Sequence, residues 1–185
     1  QNVLKETNSF SMVIDNEEDL EGLPAEEIRQ AALLADSEGE HGKWVFKPTR
    51  VSMYPFLTYS SKRELREELL NSYLQRGDND NEFDNKEVIA EMISLRKEKA
   101  EMMGFESHSD YVLDNTMAKT PENVDKLLQT IWKPGIEKAK GEVDAMQSLI
   151  VSEGLNFDLS AWDWWHYSEK LRQEQFDFKE EDVKP

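Results

Sequence analysis

The sequence predicts a mainly α-helical protein, an antiparallel helical array with a small β element near its N-terminus. From residue 61 onward, apolar residues recur at the three- and four-residue spacing of a buried helix face. Capping residues and isolated glycines separate these runs, and the short connections favour antiparallel neighbours. β-prone runs bounded by proline occur within the first sixty residues. We therefore predict a mixed α/β part over residues 1–60 and a helical part over residues 61–185.

The first part is predicted to contain one helix and up to three strands. Residues 24–36 form the helix, because proline suits its first turn and two glutamates follow at the positive end of the helix dipole. Residues 9–14 and 43–46 are short β-prone runs and are predicted as strands. A third strand is predicted over residues 50–54, where Pro55 would end it.

The second part is predicted to contain at least five helices. Each start carries a capping signal, and the pairs are Ser61 with Glu64, Asp84 with Glu87, Ser107 with Asp110, Thr120 with Pro121, and Ser160 with Asp163. Left-handed glycine stops are expected at Gly77, Gly104 and Gly154. Pro134 is expected to kink or break its helix, because proline removes one amide donor and clashes with the preceding turn.

Composition excludes several classes of protein. The chain has 185 residues, a formal net charge of −17 and no cysteine. The absence of cysteine excludes a disulfide framework, a thiolate zinc site and a cysteine nucleophile. The negative charge repels phosphate backbones and anionic lipid, so we expect neither nucleic acid nor membrane as a partner. No apolar run approaches the ~18 residues of a membrane span.

One histidine has acidic neighbours at helical spacing. His166 lies three residues before Glu169 and three after Asp163, which could supply half of a metal site. The HExxH motif of zinc proteases is absent, however, and the three histidines are far apart in the sequence. We therefore prefer the alternative, in which Asp163 caps a helix, Glu169 forms a surface ion pair and His166 is half-buried beside tryptophans.

An acidic loop partly matches a calcium-binding loop. Asp80, Glu82, Asp84 and Glu91 occupy positions 1, 3, 5 and 12 of an EF-hand pattern. Position 6 is Asn85, where the sharp turn of that loop requires glycine. A solvated acidic loop is therefore the preferred interpretation.

The tryptophan cluster near the C-terminus has two interpretations. Trp162 and Trp165 are spaced to share one helix face and are expected in the core, which leaves Trp164 to face elsewhere. The alternative is an aromatic platform for a carbohydrate or peptide. The sequence shows no glycine-rich phosphate loop and no defensible Ser-His-Asp set. We therefore assign no catalytic and no metal-binding residue, and substrate-binding residues stay unassigned.

Several motifs, in this order and spacing, resemble the thimet oligopeptidase family of zinc metallopeptidases. They are Gly22-Leu23-Pro24, Gly42-Lys43-Trp44-Val45-Phe46, Arg63-Glu64-Leu65-Arg66-Glu67, Leu95-Arg96 with Met103-Gly104-Phe105, Met117-Ala118-Lys119-Thr120-Pro121-Glu122, and residues 161–172, which include Trp162-Asp163-Trp164-Trp165. The Trp-Asp-Trp-Trp and Gly-Lys-Trp-Val-Phe forms are most similar to the bacterial peptidyl-dipeptidase (dipeptidyl carboxypeptidase) branch.

The resemblance implies a helical parent protein whose two lobes flank a narrow channel, with zinc held by HExxH and a more distant glutamate. This chain matches the stretch upstream of that catalytic half, so none of the family's metal ligands or catalytic residues falls on a position here. The expected role is a non-catalytic channel-wall segment, inactive alone, of a peptidase that cleaves short oligopeptides and releases C-terminal dipeptides. Zinc belongs to the parent and not to this fragment.

The expected partners are the remaining catalytic part of the same polypeptide and short peptide substrates. A cytoplasmic location is expected, with the periplasm as the alternative. The chain starts at Gln1 without methionine, and residues 180–185 read like the first turn of a helix, so we expect an excised piece with Phe176 and Phe178 exposed. The alternative is a free-standing acidic helical interaction module, which would explain the charge but not the motifs.

Overall fold

A computed structural model describes residues 1–176 of the chain. The fold is mainly α-helical, as predicted, with one two-stranded sheet near the N-terminus among these residues. The helices are α1 (Asn2–Ser9), α2 (Ala25–Glu38), α3 (Arg50–Tyr59), α4 (Arg63–Leu74), α5 (Lys86–Met102), α6 (His108–Leu113), α7 (Pro121–Ser152) and α8 (Trp164–Phe176). The strands are β1 (Met12–Ile14) and β2 (Trp44–Phe46), and 3₁₀ turns occupy Glu17–Leu20 and Ala161–Asp163.

The sheet confirms two of the three predicted strands. β1 and β2 pair antiparallel, with Val13 opposite Val45. Met12 and Ile14 are buried while Val13 is partly exposed, which is the alternation of a strand with one face on the core. Phe46 continues this core by packing edge to face on Phe56 of α3, with ring centroids 4.6 Å apart.

The strand predicted over residues 50–54 is wrong, because this segment is the first half of α3. Thr49 caps the helix by accepting a hydrogen bond from the Ser52 amide. The buried side chains of Met53, Phe56 and Leu57 follow helical spacing through Pro55. Their burial outweighs the single hydrogen bond that proline removes in the interior of the helix.

Helix α1 was not predicted, because it has no apolar stripe and its buried side chains are polar. The carboxylate of Glu6 is buried and accepts hydrogen bonds from the Gly77 amide and from the Asn79 and Asn81 side-chain amides. These donors satisfy a carboxylate that would otherwise be costly to bury. The position of α1 therefore depends on donors more than seventy residues away.

Three of the predicted capping pairs are confirmed and two are displaced. The side chains of Ser107, Thr120 and Ser160 accept amide hydrogen bonds at the starts of their helical segments. Ser61 does not cap α4: its hydroxyl donates to Glu21 at 2.8 Å, and the helix begins two residues later. Asn85 is the N-cap residue of α5, although the side chain of Asp84 still accepts from the Lys86 amide at 2.8 Å.

Helix α7 runs through Pro134 without ending, so the predicted break does not occur, and the alternative of a kink stays a prediction. Proline there removes the hydrogen bond to the carbonyl of Thr130. Thr130 and Pro134 are both exposed, and water can therefore hydrate that carbonyl.

The described residues form two compact units. One comprises Gln1–Phe83 with the described residues from Asp144 onward, and the other comprises Asp84–Val143. The first unit holds a main core, whose fully buried members include Met53, Phe56, Leu57 and Leu69, and a small core of Met146, Ile150 and Tyr167. In the second unit, only Ala100 is buried among the described residues. The predicted division at residues 60/61 stays a prediction.

No helix within residues 1–176 combines the length and the apolar composition of a bilayer crossing.

Candidate functional site

The best-developed polar cluster in the first unit surrounds Asp163, which is completely buried. The side chain of Asp163 accepts the Ser160 amide, and the Ser160 hydroxyl accepts the Asp163 amide, which forms a capping box before α8. Arg66 donates from Nη2 to Oδ1 of Asp163 at 2.8 Å. Arg63 donates from Nε to both oxygens at 3.1 Å and from Nη2 to Oδ2 at 3.0 Å.

Each arginine of this cluster has further partners. Arg66 is 2% exposed and donates to the carbonyls of Ser60 and Trp162, at 2.7 and 3.2 Å. The guanidinium of Arg63 lies over the rings of Phe157 and Trp162, 4.3 and 5.3 Å from their centroids. Every oxygen of Asp163 is therefore occupied by N–H donors, and the cluster joins α4 to the turn before α8.

The geometry of the Asp163 cluster indicates a structural role. A carboxylate that is buried and already paired with two guanidinium groups presents no accessible oxygen to substrate or metal. The capping role predicted for Asp163 is confirmed. Its pairing with Arg63 and Arg66 was missed, because these arginines resemble solvent-facing positions on a charged helix and their partner lies about one hundred residues away.

His166 is buried in α8, with Nδ1 3.2 Å from the carbonyl oxygen of Thr58. A neutral ring that carries its proton on Nδ1 donates to this carbonyl. The pKa of His166 is lowered to about 4, mainly by burial and then by the positive charges of Arg66 and Lys170. The Thr58 carbonyl and the Glu153 carboxylate raise the pKa of His166, but by less than these effects lower it. His166 is therefore a neutral, buried ring at pH 7.

We expect the burial of His166 to make the chain less stable as the pH falls. Between pH 6.5 and about 4 the unfolded chain binds a proton that the folded chain does not, so stability is full above this window and is lost on going down through it. The loss attributable to this ring is about 1–3 kcal/mol in the free energy of unfolding. Urea unfolding of wild type and His166→Gln at a series of pH values measures it.

The matched control for this experiment is His41→Gln, since the side chain of His41 is 77% exposed. Carboxylates also titrate in this window, but their contribution is common to all three proteins. His166→Gln should show a shallower fall in stability than both wild type and His41→Gln. Parallel profiles for all three proteins would contradict a neutral buried His166.

Glu169 does not form a metal-binding pair with His166. Its carboxylate accepts two hydrogen bonds from Arg172, at 2.7 and 2.6 Å, and one from Gln173. Arg172 lowers the pKa of Glu169, so the group is a carboxylate in an ion pair on α8. The predicted ion pair of Glu169 is thus present, whereas His166 is more deeply buried than predicted.

The residues of the EF-hand-like pattern form no metal centre among the described residues. No group of three or more histidine, aspartate or glutamate side chains within residues 1–176 is arranged to hold a metal ion.

The tryptophans divide as predicted. Trp162 and Trp165 pack on the main core, and Trp165 also stacks on Tyr54 with centroids 5.6 Å apart. Trp164 packs on the small core instead. The three rings therefore serve two separate cores and form no shared aromatic platform.

The structure describes two open grooves, one in each unit. One, of about 460 Å³, lies in the first unit between α2, β2 and α3, and the other, of about 510 Å³, lies along α5 in the second unit. The lining residues of the first groove include Glu27, Phe46 and Val51, and those of the second include Met92 and Leu95. Neither set includes a histidine that could act as a general base near pH 7.

Comparison with known proteins gives the family. The sequence pattern of Peptidase family M3 matches residues 56–185, more than half of the chain. The chain belongs to peptidase family M3. This finding confirms the resemblance to the thimet oligopeptidase family.

Individual relatives match the chain from end to end. "Dipeptidyl carboxypeptidase" of Escherichia coli is 28% identical, "Oligopeptidase A" of Haemophilus influenzae 31%, and "Probable cytosolic oligopeptidase A" of Arabidopsis thaliana 29%, each over 100% of this chain. The chain spans only 27–28% of the length of these relatives. The similar identities do not separate the oligopeptidase A and dipeptidyl carboxypeptidase branches.

Proposed function

We propose that this chain is a non-catalytic segment of the channel wall in a zinc peptidase of family M3, which cleaves short oligopeptides. The observation that carries the proposal is the M3 match over residues 56–185 in a chain that spans about a quarter of its relatives. The two regions proposed as mixed α/β (1–60) and helical (61–185) would together form this segment. The catalytic part of the same polypeptide and short peptides are its partners.

The polar chemistry of the described residues supports a structural role. The buried carboxylates of Asp163 and Glu6 are occupied by arginine, amide or backbone donors. His166 is held neutral against a backbone carbonyl. These groups fix helices and loops, whereas a catalytic zinc requires three protein ligands and an open coordination position.

We further propose release of C-terminal dipeptides and a cytoplasmic location. The peptidyl-dipeptidase motifs and the dipeptidyl carboxypeptidase relative support the first of these. The Arabidopsis relative, a probable cytosolic oligopeptidase A, supports the second. A free-standing interaction module has no comparable support from the family match.

The test is to assay the 185-residue chain and the longer M3 polypeptide that carries it. The chain alone should neither hydrolyse peptides nor retain stoichiometric zinc after dialysis, whereas the longer polypeptide should do both. Hydrolysis by the chain alone, abolished by a chelator, would overturn the non-catalytic assignment.

Matched substrates separate the two branches. One short peptide is supplied with a free C-terminal carboxylate and the same peptide with a C-terminal amide, and the products are identified by mass spectrometry. Sequential loss of dipeptides from the free acid alone supports a peptidyl-dipeptidase. Internal cleavage of both peptides at equal rates would contradict dipeptide release.

A further inference from the structure

Helix α7 carries an apolar stripe that is largely exposed. Its exposed members recur at spacings of three, four or seven residues, so they share one side of the helix. They are Leu127, Leu128, Ile131, Trp132, Ile136 and Val143, with exposed fractions between 36% and 65%. Singly exposed apolar residues are common, but a continuous stripe along several turns indicates an interaction surface.

Farther along α7, the same face of the helix is covered. Met146 and Ile150 continue the spacing of the stripe and are 1% and 0% exposed. They form the small core with Tyr167, and Leu171 packs against it. Tyr167 and Leu171 belong to α8 of the same chain. Where the stripe is covered, therefore, its partner is another segment of the same polypeptide.

We infer that the exposed part of this stripe, Leu127 to Val143 on α7, is covered by a further segment of the same M3 polypeptide, which extends the packing begun by α8. The inference rests on the proposed function, since it requires the parent protein. The matched relatives are nearly four times as long as the chain, which leaves ample polypeptide for this role. The occupant presents an apolar face to the part of the stripe between Leu127 and Ile136, where the exposed members are apolar. Beyond it, Lys138 and Glu142 form an ion pair with each other at 3.7 Å.

Charge disfavours the other occupants. Two copies of a chain with net charge −17 repel each other, and the same charge opposes binding to an anionic membrane. A segment of the same polypeptide is instead held near the stripe by covalent connection, which raises its effective concentration.

Two neighbouring residues of α7, about 100° apart around the helix axis, provide the test. Ile131 lies on the stripe and is 62% exposed, whereas Thr130 is a polar, exposed residue that is not a member of the stripe. Ile131→Glu and Thr130→Glu introduce the same side chain and the same charge at adjacent positions. Both variants are prepared in the 185-residue chain and in the longer M3 polypeptide. Thermal midpoints, peptide kinetics and sedimentation are then measured.

In the 185-residue chain, the two variants should have thermal midpoints within about 2 °C of each other, because both sites are in water. In the longer polypeptide, Ile131→Glu should lower the midpoint by about 3 °C or more relative to Thr130→Glu, since the new charge enters an apolar interface. If Ile131→Glu prevents folding of the longer polypeptide, Ile131→Ala is compared with Thr130→Ala instead. Ile131→Ala should then have the lower thermal midpoint of the two, by a smaller difference.

Three outcomes would overturn the inference. Equal midpoints in the longer polypeptide would show that the stripe stays exposed. A raised KM for peptides without a change in midpoint would show that the stripe contacts substrate. Dissociation of a dimer of the 185-residue chain by Ile131→Glu would assign the stripe to a second copy. If the longer polypeptide without substitutions has no peptidase activity, the proposed function is contradicted. The comparison of thermal midpoints between the two variants is still valid in that case.

Discussion

Asp163→Ala is expected to lower the free energy of unfolding by about 3–5 kcal/mol. Arg66 is 2% exposed and has Asp163 as its carboxylate partner, at 2.8 Å. Removing the carboxylate leaves a buried guanidinium with two backbone carbonyls and no negative charge. The substitution also removes the side-chain half of the capping box, which is worth about 1 kcal/mol. Urea unfolding at pH 7 measures the sum.

Two further variants separate these contributions. Asp158→Ala removes a carboxylate from an exposed position nearby and should change stability by less than about 0.5 kcal/mol. Ser160→Ala keeps the carboxylate but removes the hydroxyl half of the capping box and the hydrogen bond that this hydroxyl accepts from Arg63 at 3.1 Å, and it should cost about 1–2 kcal/mol. A loss for Asp163→Ala no larger than that for Ser160→Ala would contradict the role of the buried ion pair.

Gly22→Ala is expected to lower the free energy of unfolding by about 2–5 kcal/mol, through two effects that add. Gly22 has a φ of 89°, a left-handed conformation that side chains disfavour. A Cβ atom there would also lie inside the contact radius of the Tyr59 carbonyl oxygen. This close approach is fixed by the Ser61 amide, which donates to the Glu21 carbonyl at 2.9 Å. Thermal or urea unfolding measures the loss.

Gly39→Ala isolates the conformational effect from the steric one. Gly39 has a nearly identical φ of 85°, but a Cβ atom there would meet no atom within 4 Å. We expect this variant to lose about 1–2 kcal/mol. The excess loss of Gly22→Ala over Gly39→Ala measures the clash with the end of α3 at Tyr59. Equal losses would show that the end of α3 moves aside without cost.

The sequence by itself determined features that depend on near neighbours along the chain. The caps at Ser107, Thr120 and Ser160 follow from a side-chain oxygen placed beside free amides, which is local chemistry. Helical periodicity likewise predicted that Trp162 and Trp165 would share a core and that Trp164 would not. The family, too, was identifiable from motifs along the chain, and the M3 match confirms it.

Only the tertiary structure decided features whose partners are distant in sequence. Asp163 is a recognisable cap, but its pairing with Arg63 and Arg66 depends on α4 lying beside the turn before α8. Likewise, Ser61 matches a capping box, yet it bonds to Glu21, forty residues earlier. Local spacing specifies which groups need partners, because helix geometry acts over three or four residues. Packing of the whole chain determines which partner each group receives, since burial removes the alternative of water.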